Sequence, residues 1–370
     1  MASKQLFRLN FVGDVMLGRL IDQMFATHVH EPGEASTVEW FRRRNPDLNR
    51  YTEVSPWGNT LGLFHEADLN LINLETSVTT HPNAWPNKVF NYRMHPANVV
   101  ALQAANVDYA SLANNHTLDF KFEGLIETVH TLKQAGIAFA GAGETTEEAL
   151  KPARLTLPKH HSDGSPAYTV EIVSASDHPR DWAAVPQFHL IDYSPKTRER
   201  LRAQLSKGQP HSANGAAAPL RVFSVHWGPN YLWRPDPEAR DLAHFLIDEC
   251  GVDIIHGHSS HHVQGVEQYK GKLIIYGCGD FVDDYAINQS YRNDLSAIWR
   301  VTVEGKDQEG LHLKSLEIFP TRISRFQAEL LDSNDPDHDW VREKITKLSG
   351  EMGTVMSEAA GDRGQLVLQL

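Results

Sequence analysis

The stretch NFVGDVMLG, residues 10–18, completes an alternating apolar run that begins at Leu6. Alternation that merges into a continuous apolar run is typical of a strand that becomes buried on both faces. The strand ends at Asp14, and the carboxylate stands next to Gly13. The rest of the chain repeats this plan of a buried strand that ends in a polar side chain, so this stretch indicates how the fold is built.

Four further apolar segments are each followed by a side chain that can bind a metal or carry a proton. They are residues 68–74 before Glu75, residues 109–113 before Asn114, Asn115 and His116, residues 222–225 before His226, and residues 252–255 before His256 and His258. In α/β proteins, ligands bind outside the carboxyl ends of parallel strands. We therefore expect the five strand ends to converge on one edge of a sheet.

Helical patterns lie between these strands, at residues 96–105 and 123–135, and Gly136 closes the second as a helix C-terminus prefers. Strand, helix and strand at this spacing indicate an α/β fold with a largely parallel central sheet. The later segments 273–276, 297–303 and 311–318 also read as strands, separated by short turns. Part of the structure is therefore expected to be antiparallel, with two sheets packed between helices.

Two polar stretches, near residues 27–56 and 207–219, read as insertions, the second as a loop or flap. Residues 335–348 read as a helix that opens with Asp-Pro-Asp. We expect one main domain over residues 1–326 and a C-terminal helical appendage, residues 327–370, packed on its outside.

The charge balance argues against a nucleic-acid partner. Among 370 residues, 35 Lys and Arg face 47 Asp and Glu, a net charge of −12, and the sequence has no basic stripe of the kind that neutralises phosphates. Two cysteines are too few for a disulfide framework. The sequence shows no signal-peptide pattern and no apolar run near the roughly 18 residues of a membrane span, so we expect a cytoplasmic protein. The sequence does not determine the oligomeric state.

Histidines are abundant, 20 in all, and four of them fall between His256 and His262. Gly257 allows a sharp turn after the strand, so that imidazoles on either side of two serines can face one point. Oxygen and imidazole ligands without thiolate suit Mn, Fe, Zn or Mg, and a bridging carboxylate permits two ions roughly 3.5–4 Å apart. Each residue alone also has an ordinary structural interpretation, such as a helix cap for Asn115 or a core histidine for His226.

Taken together and in order, the motifs resemble those of the CapA-type poly-γ-glutamate capsule biosynthesis proteins, a branch of the calcineurin-like metallophosphoesterase superfamily. The matching strings are FVGDVMLGR at residues 11–19, NLE at 73–75, NNHTLD at 114–119, HWG at 226–228, and Gly257-His258 with His261 and Gln264. Two positions differ from the wider superfamily. Met16, which the CapA-type branch shares, stands where the superfamily has a histidine, and Glu75 stands where the superfamily has a bridging aspartate. Asp280 differs from the branch, which has Asn at that position.

The resemblance implies a four-layer α/β/β/α sandwich with mixed sheets and a site for one or two divalent metal ions. The metal ligands that it implies are Asp14, Glu75, Asn115, His226, His258 and His261. His116 would be the acid or charge stabiliser, oriented by Asp119, and Asp14 would also take part in catalysis. Met16 would weaken one metal site, and Asp280 would either join the site or form an outer hydrogen bond.

The first functional hypothesis is a metal-dependent hydrolase, in which a metal-bound hydroxide attacks a phosphoester or a γ-glutamyl-type amide. The residues predicted to bind an anionic small-molecule, peptide or polyglutamate substrate are Lys88, Asn91, Arg93, Tyr231 and Arg234, with Tyr92 on the same loops. A second hypothesis is a peptide epimerase that exchanges a Cα proton, using Asp14 or Glu75 with His261 or His116. A third is a non-catalytic protein that binds polyglutamate or a partner enzyme.

Overall fold

The computed structural model describes residues 5–159, 167–206, 217–306, 309–357 and 360–370. Its strands are β1 (Gln5–Val15), β2 (Leu69–Leu74), β3 (Ser77–Val78), β4 (Arg93–Met94), β5 (Tyr109–Ser111), β6 (Ala138–Ala140), β7 (Ala153–Leu157), β8 (Tyr168–Ser176), β9 (Leu220–His226), β10 (Ile254–His258), β11 (Val266–Tyr269), β12 (Lys272–Ile275), β13 (Asp280–Val282), β14 (Leu295–Lys306), β15 (Gly310–Ser324), β16 (Gln327–Leu330) and β17 (Leu366–Gln369).

The α-helices are α1 (Arg19–Asp22), α2 (Pro32–Arg44), α3 (Leu61–His65), α4 (Val100–Ala104), α5 (Lys121–Ala135), α6 (Thr146–Leu150), α7 (Pro195–Ser206), α8 (Pro237–Cys250) and α9 (Pro336–Glu351). Short 3-10 helices cover Pro46–Arg50, Ser55–Thr60, Pro96–Val99 and Arg180–Ala184. Gly136 closes α5 in the left-handed conformation, with φ 73°, as the sequence predicts. In the described part of the chain, no helix is both long and apolar enough to cross a membrane.

Two large sheets carry the fold. The larger sheet has the order β16-β15-β14-β1-β2-β5-β6, with β13 beside β1 and β17 beside β15. The smaller sheet has the order β11-β12-β10-β9-β8-β7. Each is parallel at its centre, as in the β1–β2–β5 and β8–β9–β10 pairs, and antiparallel toward at least one edge. The predicted mixture of parallel and antiparallel strands is confirmed.

The apolar side chains of these strands sort into three cores. Leu9 and Phe11 of β1 share the core between the sheets with residues of the smaller sheet such as Val222. On the outer face of the larger sheet, Ile72 packs in a core with α5, and on the outer face of the smaller sheet, Phe223 packs in a core with α8. The order is therefore helices, sheet, sheet, helices, and the predicted four-layer α/β/β/α sandwich is confirmed.

The expectation that all five motif strands end at one edge of a single sheet is wrong. Strands β1, β2 and β5 belong to the larger sheet, whereas β9 and β10 belong to the smaller one. After β6 the chain starts a second sheet at β7 instead of extending the first. The sheets stack face to face, and His256 of β10 donates a hydrogen bond of 2.8 Å from Nε2 to the carbonyl oxygen of Val12 in β1. The strand ends therefore meet across the two sheets.

The segments outside the sandwich core take several forms. The predicted insertion at residues 27–56 contains α2, and that at 207–219 lies, through residue 216, outside the described residues. The predicted C-terminal helix is confirmed as α9, which Asp335 caps by accepting a hydrogen bond from the Asp337 N–H at 2.9 Å. Strands β16 and β17 flank α9 and pair with β15, so residues 327–370 also extend the larger sheet. The division into two domains stays a prediction.

Gly13 tests how closely β1 approaches the chain before β13. A Cβ atom at this position would lie 1.8 Å from the carbonyl oxygen of Gly279, so the backbone would have to move. We expect Gly13→Ala to lower the free energy of unfolding by about 3 kcal/mol or more, measured by chemical denaturation. Gly33→Ala is the matched control, because a Cβ there meets no atom within 4 Å and α2 gains about 0.5–1 kcal/mol of helix propensity. Equal tolerance of both substitutions would contradict the close approach.

Candidate metal centre

Two buried carboxylates stand where β1 and β2 end. Asp14 is 1% exposed and Glu75 is 0% exposed. Asp14 Oδ1 accepts a hydrogen bond of 2.7 Å from Asn73 Nδ2, but Asp14 Oδ2 and both oxygens of Glu75 have no hydrogen-bond partner. A buried ionised carboxylate without donors is strongly disfavoured unless a cation or a proton neutralises it.

The pKa values of these carboxyl groups also indicate that their ionised forms are disfavoured. Burial raises the pKa of Glu75 well above its ordinary value, and the neighbouring carboxylates of Asp14 and Asp280 raise it further. Burial also raises the pKa values of Asp14 and Asp280. Acidic groups packed this closely repel one another when ionised, so the ionised cluster needs a positive charge beside it.

The smaller sheet supplies two histidines to the same place. His226 ends β9 and His258 ends β10, and these two residues face each other in the register of the parallel strands. Their Nδ1 atoms are 2.8 Å apart, and His226 Nε2 lies 3.9 Å from Glu75 Oε1. Burial lowers the pKa values of both histidines well below the ordinary value. Both are therefore neutral, the form in which imidazole binds metal ions.

His261 and Asp280 complete the group from the other side. His261 Nδ1 lies 2.8 Å from Asp280 Oδ1 and 3.9 Å from Asp14 Oδ2. Asp280 opens β13 and is the register partner of Asp14 in β1, and Asp280 Oδ2 has no hydrogen-bond partner. Pairing of β13 with β1 therefore brings Asp280 next to Asp14 and His261, where it can serve either as a ligand or as a hydrogen-bond partner of His261.

Two overlapping sets of side chains have ligand atoms within 4.8 Å of one another. One set is Asp14, His226 and His258, and the other is Asp14, Glu75, His261 and Asp280. Asn115 adds a buried side-chain oxygen without a hydrogen-bond partner on the cleft above them. Unpartnered acceptor oxygens and neutral imidazoles are the donor set of a divalent cation, so the residues present fit one or two such ions that share Asp14.

His116 stands beside this cluster and is held by several contacts. Its Nδ1 lies 2.6 Å from Asp119 Oδ2, which also accepts a hydrogen bond of 2.6 Å from the Tyr92 N–H. The Lys88 ammonium donates to Asp119 Oδ1 and lies 3.1 Å from His116 Nδ1. Tyr92 stacks on the imidazole at 3.9 Å, and burial lowers the pKa of His116 to about 4. His116 Nε2 lies 4.0 Å from Glu75 Oε1, at the edge of the cluster.

A cleft of about 530 Å³ opens above the cluster, and Asn115, His116 and His261 line it. Of the residues predicted to bind substrate, Lys88 and Tyr231 lie on its wall. The cleft is thus continuous with the candidate metal ligands.

The other three predicted substrate residues are turned to different partners. Asn91 Nδ2 donates to the carbonyl oxygen of Lys88 at 3.0 Å and supports that loop. Arg93 Nη1 donates to the His81 carbonyl at 2.6 Å, and Arg234 Nε pairs with Glu351 Oε2 at 2.7 Å. None of the three is among the described residues that line this cleft, so their contact with a substrate stays a prediction.

The structure also adds residues that the sequence did not single out. Arg19 and Tyr285 line the cleft, and the Tyr285 hydroxyl is buried without a hydrogen-bond partner. Arg19, Tyr231 and His261 adopt positive φ values of 53°, 62° and 62°, which are unusual for residues other than glycine and gather at functional sites. Arg19 was within reach of sequence reasoning because it directly follows the first motif, whereas no local signal marks Tyr285.

Comparisons with known proteins relate most of the chain to one family. The family model described as bacterial capsule synthesis protein PGA_cap matches residues 8–285. A Mycobacterium tuberculosis protein named as a probable polyglutamine synthesis accessory protein is 35% identical over 367 residues, covering 92% of this chain and 90% of that protein. The PGA biosynthesis protein CapA of Bacillus subtilis is 25% identical over 283 residues, which cover 76% of this chain and 64% of that protein.

Among solved structures, a NAD nucleotidase of Haemophilus influenzae is similar to this chain with a TM-score of 0.40 and 12% sequence identity. The similarity covers 92% of this chain and 55% of that protein.

Glu75→Gln separates a metal ligand from a structural carboxylate. We expect the variant to be more stable than the parent after chelator treatment, by about 1–3 kcal/mol, because it removes a carboxyl group that burial forces either to take up a proton or to stay charged without donors. Mn²⁺ should raise the melting temperature of the parent and raise that of the variant less, through weaker binding to the folded state.

Glu171→Gln is the control, since buried Glu171 pairs with Arg154 at 2.9 Å and its neutralisation should lower stability with or without metal. A Glu75→Gln protein that is destabilised like the control and binds Mn²⁺ as the parent does would rule out Glu75 as a ligand.

Proposed function

Because the chain belongs to the bacterial capsule synthesis protein family PGA_cap, we propose that it is a metal-dependent hydrolase acting on a phosphoester or a γ-glutamyl-type amide. One observation carries the proposal. At the floor of an open cleft, buried carboxylate oxygens without donors face neutral imidazoles. A protein gains no stability from such a cluster unless a cation occupies it, and a cation beneath a cleft is suited to act on a bound substrate.

The ligands that would hold the cation are Asp14, Glu75, Asn115, His226, His258 and His261, to which the geometry adds Asp280. A divalent cation held there would lower the pKa of water and neutralise charge that develops on the substrate. Mn, Fe, Zn and Mg all remain candidates, because oxygen and imidazole donors suit each of them.

His116 has the position of a charge stabiliser or acid beside the leaving group. Its imidazole is neutral in the free protein, and negative charge that develops nearby would favour its protonated form. Asp119 and Lys88 hold the Nδ1 side of the ring, and Tyr92 stacks on its face. These contacts leave Nε2 at the cleft edge of the carboxylate cluster, 4.0 Å from Glu75 Oε1. A fixed imidazole there can hold a proton near the substrate or stabilise negative charge as the bond breaks. Asp119 orients it and does not itself reach the substrate.

The names of the relatives favour the γ-glutamyl-type amide over the phosphoester. One relative is named for polyglutamine synthesis and another for PGA biosynthesis. The word accessory in the first name also favours the second candidate function, in which the protein binds a polyglutamate-type chain or a partner without turning it over. We expect an anionic substrate in either case.

The decisive experiment assays the purified, metal-loaded protein on γ-glutamyl peptides and phosphoesters in deuterated water. Hydrolysis products that disappear on chelation and return with Mn²⁺ support the proposal. Deuterium at Cα of an intact peptide would instead identify an epimerase. Bound metal with neither outcome would identify a binding protein.

We expect His116→Gln to lower kcat by roughly 10²–10⁴-fold with metal content unchanged, because it removes the imidazole that stabilises charge or moves a proton at the leaving group but removes no proposed metal ligand. Metal per folded molecule, measured by mass spectrometry of the metal, accompanies the rate measurement. His130→Gln serves as the control, since His130 is 54% exposed and contacts Glu144. A His116→Gln protein with the parent's kcat, or one that loses its metal, would refute this role.

A further inference from the structure

Arg19 occupies the wall of the cleft in a strained conformation. It follows β1 closely, lines the cleft, and has a side chain that is 29% exposed. Its φ of 53° lies in the left-handed region, where a Cβ atom is unfavourable and glycine is not. Backbone strain at a cleft is commonly part of the function of a site. Here the strained residue places a guanidinium group on the wall of the cleft.

The guanidinium is only loosely engaged by the carboxylates of the protein. Arg19 Nη1 is 3.5 Å from Asp284 Oδ1, and Nε is 4.0 Å from Glu34 Oε1. By contrast, Arg292 makes two bonds of 2.8 Å to Asp294. Charge-assisted hydrogen bonds to carboxylates measure about 2.7–2.9 Å, so the two Arg19 pairs are weak. The Tyr92 hydroxyl also accepts a hydrogen bond from the guanidinium, and together these contacts orient the group without saturating its five donors.

Lys88, the other basic side chain on the described wall, is already occupied. Its ammonium bonds to Asp119 and lies 3.1 Å from His116 Nδ1. Arg19 is therefore the cation of the described wall that has donors left for a ligand. Arg19 also lies close to His116, since its Cζ is 5.3 Å from the centre of the Tyr92 ring that stacks on His116.

We infer that Arg19 binds a second anionic group of the ligand, a carboxylate or another oxyanion, while the first oxygen-bearing group reaches the metal centre. The planar fork of a guanidinium matches both carboxylate and phosphoryl oxygens in a bidentate manner. The substrate class is then an acidic amide or ester that carries a free anionic group beside the bond to be cleaved. The identity of the cleaved bond rests on the proposed function, but the anion site does not.

Binding of simple acids tests the site without turnover. Calorimetry on the Mn²⁺-loaded protein compares butyrate, which has one carboxylate, with the series from malonate to adipate, which has two at increasing separation. We expect one chain length to bind at least tenfold more tightly than butyrate. Replacing one carboxylate by phosphonate, as in 3-phosphonopropionate, shows which oxyanion the site prefers.

Arg19→Gln should abolish the preference for the dicarboxylate and leave butyrate affinity unchanged. Arg43→Gln is the matched control, because Arg43 is 75% exposed on α2 and pairs with Glu39. Should Arg19→Gln fold poorly by melting temperature, Arg19→Lys decides the matter. It keeps the charge but loses the fork, and we expect the preference to fall several-fold.

Equal binding of mono- and dicarboxylates by the parent, or a preference that survives both Arg19 variants, would overturn the inference. An Arg19-dependent preference in a protein that hydrolyses nothing would leave the anion site standing and remove the hydrolase proposal.

Discussion

The close approach of the backbone between the strand ends is the constraint on which the site depends. At Gly13, the carbonyl oxygen of Gly279 occupies the place of a Cβ, and at Gly257 the carbonyl oxygen of Tyr276 would lie 2.2 Å from one. Only glycine allows contacts of this kind. They let β1, β10 and the segment before β13 converge, so that candidate ligands from two sheets and from distant parts of the sequence lie close together.

That convergence carries an electrostatic cost. Asp14, Glu75 and Asp280 are all buried, and burial and mutual repulsion raise the pKa values of these groups. Three carboxylates held together in a region of low dielectric attract positive charge strongly. The neutral histidines beside them add lone pairs without adding repulsion. Stability of the protein and occupancy of the centre are therefore linked.

Two kinds of contact hold the side chains that surround the cluster. Hydrogen bonds fix His116 through Asp119 and Lys88, while the stacked ring of Tyr92 fixes its plane. The same ring contacts Arg19, so one aromatic side chain lies against both His116 and the cation proposed to bind an anion. This arrangement joins the first motif of the chain to the motif that follows β5.

Local pattern determined much of this protein. Eight of the strands, together with α5 and α9, were predicted from apolar periodicity, which is a property of neighbouring residues. The four-layer sandwich was implied by the motif resemblance to the CapA-type proteins, and the family match confirms that resemblance. Asp14, Glu75, His226 and His258 were predictable candidates because each ends a buried strand. Their roles as ligands stay predictions. Tertiary structure alone decided that the strands divide between two sheets.

It also decided that Asp280 joins Asp14 through the β1–β13 pairing, and that Arg93 and Arg234 turn to His81 and Glu351. The reason is physical. Sequence pattern reports whether a side chain is buried by its own strand or helix, but the partner of a polar side chain depends on which distant backbone folds against it.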